Sequence, residues 1–211
     1  CAEAREALGD LLWTKHRAGE LAARLGNDAL LRLCRRAVSA SFADVAASLS
    51  DVRLRLSPAE EAAANEILAS APDPSLAEDA DAKRRLDLLE AARRGFDRVQ
   101  DSASQMRVRL EMCAVHRARG DLDALLIALA DAAEFAIDPS TLAELSLERA
   151  RILGPRGRRD AARSLAEPVF EDPNVAPLLR VDAARILTDD LLSSHAPSLS
   201  PIDLDLRSRC L

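Results

Sequence analysis

The sequence predicts an all-α chain, and three observations carry that expectation. Alanine (41) and leucine (35), both strong helix formers, supply more than a third of the 211 residues. Aromatic residues make up only 2%, tyrosine is absent and no run of β-branched residues occurs, so little favours a strand. Helix-start and helix-stop signals alternate along the chain, leaving apolar-striped segments of roughly 12–18 residues between short connections. A chain of this length can form one domain or two small ones and bury a core of Leu–Ala contacts.

The elements follow in order. Residues 2–25 read as a helix carrying Ala4, Leu8, Leu11 and Leu12, then Leu21, Ala22 and Leu25 beyond Gly19. Gly26-Asn27-Asp28 supplies a stop and a new N-cap, and a second helix runs from about Asp28 to Ser50. Ser57-Pro58-Ala59-Glu60 has the form of a capping box with proline at the permitted first position, a strong start signal. That helix ends at the APDPS segment, 71–75, and a long one follows from about Leu76 to Gln100 with Leu86, Leu89 and Phe96 on one stripe. From Ser102 the helices shorten: one to Arg119 with Gly120 after it, one over 121–136 before Asp138-Pro139, one over about 141–153 before Gly154-Pro155-Arg156-Gly157. A further helix over 158–170 is expected to be interrupted by Pro168, and a last one runs from Asn174 to about Ser193. The tail, 194–211, is rich in Ser and Pro and is expected to dock weakly at most.

A fixed step links parts of this series. ERARIL at 148–153 returns as DAARIL at 182–187, thirty-four positions on, and the same step links IDPS at 137–140 to EDPN at 171–174. Fixed-period similarity marks stacked units, each hiding its apolar face only against its neighbours. Over roughly residues 102–193 the chain resembles the tetratricopeptide (TPR) family, whose unit is a helix–turn–helix of 34 residues. Ala114, Ala150 and Ala184 take the family's small position in the first helix, and Gly120 and Gly157 its turn glycine. Ala162 takes the alanine of the close helix crossing, and Pro139 and Pro173 the closing proline. The resemblance implies a degenerate array: Leu, Ser or Arg fill the bulky aromatic positions, and the last unit has no turn glycine. It further implies an α-solenoid wound as a right-handed superhelix, with residues 1–101 as diverged or capping helices of the same array.

Chemistry is scarce. Net charge is −6 with both signs interleaved, which gives no basic face for nucleic acid. No apolar run approaches a bilayer span, so no membrane insertion is expected. No metalloprotease, nucleophile-elbow or phosphate-loop motif occurs, so no catalytic, cofactor-binding or metal-binding residue is assigned and the chain is read as not an enzyme. His16 and His116 sit in similar strings before glycine and read as helix ends, and His195 falls in the tail. Cys1, Cys34, Cys113 and Cys210 are too far apart for a disulfide framework or a zinc site, which favours free thiols and a reducing, cytoplasmic setting. Cys113 and Trp13 read as core. Cys1 at the start of the sequence fits either an arbitrary boundary or the lipidated end of a processed bacterial envelope protein.

The function expected is a non-catalytic interaction scaffold that binds a peptide or a partner helix in the groove of the solenoid. An envelope lipoprotein with an assembly role and the helical regulatory segment of a larger signalling protein stay open as alternatives. The candidate binding stripe is Glu144, Glu148 and Arg151, spaced i, i+4, i+7, with Asp182 and Arg185 at the places of Glu148 and Arg151 one repeat later. A solvated face explains such charges as readily, and Glu148 and Arg151 are close enough in sequence to pair with each other.

Overall fold

Helices supply all the regular structure seen. The computed structural model describes residues 26–37, 46, 49 and 56–193. Across them run α1 (Asn27–Ala37), α2 (Pro58–Ser70), α3 (Glu78–Val99), α4 (Ser102–Ala118), α5 (Leu122–Glu134), α6 (Pro139–Leu153), α7 (Arg159–Glu171) and α8 (Pro177–Ser193). Among the described residues there is no strand, as expected. Two compact units result, one ending at Arg119 and the other beginning at Gly120. The readings for Cys1, Trp13, His16, the helix over 2–25, His195 and the tail lie outside the described residues.

Capping chemistry sets the helix starts. The Ser57 N–H donates to Glu60 Oε2 at 2.8 Å, and Ser57 Oγ accepts from the Glu60 N–H, closing the expected box ahead of Pro58. That backbone hydrogen bond holds the Glu60 carboxyl below its ordinary value. Asp101, Asp121 and Asp138 cap α4, α5 and α6, each accepting from the backbone N–H three residues on. Gly120 and Gly157 stand at φ +67° and +77°, a conformation that favours glycine, so both turn glycines are required by the backbone. Pro168 does not interrupt α7, which runs on to Glu171. It removes one N–H from the ladder, while its own carbonyl accepts from Asp172 N at 3.1 Å and closes the last turn.

In the first unit Leu30, Leu31 and Cys34 of α1 pack with Ala64 and Ile67 of α2, and burial pushes the Cys34 thiol up to about 11. Leu89, Ala92 and Phe96 of α3 pack with Ala62 and Ala69 of α2 and with Val108 and Val115 of α4. Two polar devices fasten the same helices. Buried Glu66 of α2 accepts from Arg35 of α1 (3.0 Å) and from Arg107 Nη2 of α4 (2.9 Å). The last carbonyls of α2 accept from Arg84 (Leu68 O, 3.1 Å; Ala71 O, 2.6 Å) and Arg85 (Ala69 O, 2.7 Å) of α3, which satisfies acceptors that a helix end leaves open.

In the second unit Ala143 and Leu147 of α6 pack with Ala166 and Val169 of α7, with Val175, and with Ala183 and Leu187 of α8. Ala150 and Leu153 pack with Ala162, the alanine expected where two helices cross closely. Cys113 is buried, as read, but Ala114 beside it is exposed. In α8 the fully buried alanine is Ala183 and the half-buried one is Ala184, so the small position of the repeat moves by one residue there.

Candidate functional site

The stripe read from the sequence divides between two neighbouring helices of the second unit. Leu147, Ala150 and Leu153 turn one side of α6 into the core, which leaves Glu144 and Arg151 exposed and Glu148 half-buried on the other. Ala183 and Leu187 do the same for α8 and leave Arg185 exposed and Asp182 half-buried. The two helices meet across a charge pair. Arg151 Nη2 donates to Asp182 Oδ2 at 2.8 Å, with 52% and 36% of the two side chains exposed. This bridge runs diagonally through the repeat, from the arginine of one unit to the acid of the next. Glu144 and Arg185 have no hydrogen bond or ion pair to another side chain among the described residues.

Apolar groups lie beside these charges. Leu178 is 80% exposed and Val181 58%, and both share the outward side of α8 with Arg185 at spacings i, i+3, i+7. Leu142 of α6 is also exposed. Five charged positions thus lie on α6 and α8, two of them without a side-chain partner among the described residues, with bare aliphatic groups at their edge.

Sequence reasoning passed over Arg149 and Arg158. Both line a cleft of about 220 Å³ with Leu126, Leu153, Ala161, Ser164 and Leu165. A signal for them exists. Neither has an acid three or four residues away on either side, whereas Arg93 has Glu90 and Asp97, and Arg84 has Asp81, at those spacings.

No family model and no curated protein matches the chain, and likeness is found among solved structures. The chain is similar to the crystal structure of the nearly identical TPR-like repeats of a Podosopora anserina protein named a kinesin light chain, with a TM-score of 0.52 and 14% identity. That likeness covers 96% of this chain and 94% of the other. The fold is that of TPR-like helical repeats. A single-substitution variant of the same repeats gives a TM-score of 0.51 at 15% identity, over 96% of this chain and 93% of its own. The all-α repeat solenoid inferred from the thirty-four-residue step is therefore the fold of this chain, and such repeats commonly serve protein interaction. Among the described residues no helix of this TPR-like fold is long and apolar enough to cross a membrane.

Proposed function

We propose that this chain is a non-catalytic scaffold that holds a peptide or helix of a protein partner against the exposed side of α6 and α8. The observation that carries the reading is the Arg151–Asp182 bridge, which joins two repeat helices into one charged face with Glu144 and Arg185 open at its edges. Exposed ion pairs contribute about 0.2–1 kcal/mol, so stability gives little reason for charge at these positions. Exposed Leu178 and Val181 supply the apolar contact that a charged face alone lacks. A reducing, cytoplasmic setting belongs to the same proposal; it rests on the wide sequence spacing of the four cysteines, which suits neither a disulfide framework nor a zinc site.

The test is a random peptide array probed with the wild-type chain and with the double variant Arg151→Glu/Arg185→Glu. Peptides held by the wild type are expected to be released by the variant, whose melting temperature moves by a few degrees at most. An array on which no ligand is released by the variant, every one being retained at full affinity and with unchanged salt dependence, contradicts the proposal.

A further inference from the structure

We infer that the cleft bounded by α5, α6 and α7 is a separate binding site for an acidic side chain of a peptide, with Arg149 and Arg158 as its anion ligands. The site does not include the α6–α8 charges, and it stands or falls apart from them.

Arg149 carries the inference furthest. It lines the cleft, and its guanidinium makes no hydrogen bond or ion pair among the described residues. The Nε is closed off from solvent, which leaves the two Nη groups as the donors that an incoming anion can reach. The guanidinium of Arg158, exposed at the N-cap of α7, likewise has no carboxylate or carbonyl acceptor among the described residues. Nearby arginines are engaged: Arg151 with Asp182, Arg156 with Asp123, and Arg180 Nε with Phe170 O at 3.0 Å. Two unpaired guanidiniums on one cleft, in a chain of net charge −6, make a local positive site that an oxyanion would complete. The positive end of the α7 dipole adds to the same field at Arg158.

The remaining walls identify the occupant. Leu126, Leu153 and Leu165 line the cleft with aliphatic surface that a bare inorganic anion would leave unused. Ser164 donates its hydroxyl proton to Ala161 O at 2.9 Å, so towards the cleft its oxygen can only accept, as from a peptide N–H. A volume of about 220 Å³ is below that of ordinary cofactor pockets and suits one carboxylate side chain with an aliphatic neighbour. Those three properties together describe a glutamate or aspartate flanked by leucine-like residues.

Arginine Nε–H NMR tests the site, since it reads Arg149 and Arg158 directly. The probes are an acetylated, amidated Gly-Leu-Glu-Leu-Gly peptide, its Gln counterpart and inorganic phosphate, each at millimolar concentration. The Glu peptide is expected to shift both arginine signals, and its affinity is expected to fall roughly tenfold with the Gln peptide and roughly tenfold in Arg158→Gln. Arg158 is exposed and unpaired, so that variant keeps the fold, and Arg149→Lys adds a variant that keeps charge but loses the planar fork of the guanidinium. Affinity retained in Arg151→Glu/Arg185→Glu separates this cleft from the α6–α8 face. Unmoved arginine signals overturn the inference. So does equal binding of the Gln peptide, or of phosphate alone, which would leave an adventitious ion only.

Discussion

Glycine inside a helix ordinarily costs stability, and replacing it with alanine restores about 1 kcal/mol. Gly95 in α3 is expected to do the reverse. A methyl group added there would lie 2.6 Å from Ala62 Cβ and 3.4 Å from Ala62 Cα of α2, and 3.5 Å from the Pro58 carbonyl oxygen. The first distance is far inside any carbon–carbon contact, and the atoms it meets belong to a buried alanine and to backbone, neither of which can swing aside. The two helices must therefore separate, which loosens the packing of Leu89, Ala92 and Phe96 against α2. Overpacking of this kind costs about 1–3 kcal/mol. Set against the propensity gain, Gly95→Ala is expected to destabilise by up to about 2 kcal/mol. The assay is urea denaturation of the wild type, Gly95→Ala, Ala62→Gly and the double variant. Moving the methyl group from one helix to the other relieves the clash, so the double variant should be less damaged than the two single effects added together. An increase in stability for Gly95→Ala, with no coupling to Ala62, refutes the close approach of α2 and α3.

Three further outcomes follow from the packing and the charges. Glu66→Gln removes the charge that holds Arg35 and Arg107 together and should cost about 1–3 kcal/mol by chemical denaturation, discounted because both arginines are half in water; an unchanged midpoint means the buried carboxylate fastens nothing. Ala183→Phe should cost about 1–3 kcal/mol and Ala184→Phe clearly less, because only Ala183 is fully buried; equal losses in calorimetry would restore the strict thirty-four-residue placement. The Glu60 carboxyl is held low by the Ser57 backbone N–H, that of Asp101 by Ser104 and that of Glu90 by Arg93, so their stabilisation is complete above the unfolded value near pH 4 and is lost as pH falls through the folded values. Melting temperature should therefore drop on acidification below about pH 4 and do so less steeply in Asp101→Asn, whereas a rise on acidification contradicts the assignment.

Helix boundaries were legible because they are written in local chemistry. Ser57 caps the helix that its capping box announces, and Gly120 and Gly157 turn the chain where the repeat requires. Asp138, read as the stop of the preceding helix, instead caps α6, which starts two residues before the expected 141. Side-chain phase was less legible. The repeated hexamer begins nine residues after Pro139 in α6 but five after Pro177 in α8, so equal letters do not meet equal neighbours. Leu147 is buried while Val181, thirty-four residues on, is 58% exposed. Contacts distant in sequence were not legible at all. Glu66 draws its arginines from 31 and 41 positions away, and Gly95 matters only because α2 lies against it. The charged face was partly legible: acid and arginine recur at the right step, but that Arg151 would reach Asp182 depends on how α6 and α8 lie side by side.

The most direct test of the scaffold reading keeps the bridge and changes its sense. Arg151→Glu combined with Asp182→Arg retains an ion pair between α6 and α8 but exchanges the positions of its charges. Melting temperature should stay within a few degrees of the wild type, since one exposed pair replaces another. Affinity for the peptide that the array selects, measured by fluorescence anisotropy, should fall by about tenfold or more, because a bound chain reads where each charge stands. Undiminished affinity in this exchanged protein, with the fold intact, would contradict the assignment of partner binding to the α6–α8 face.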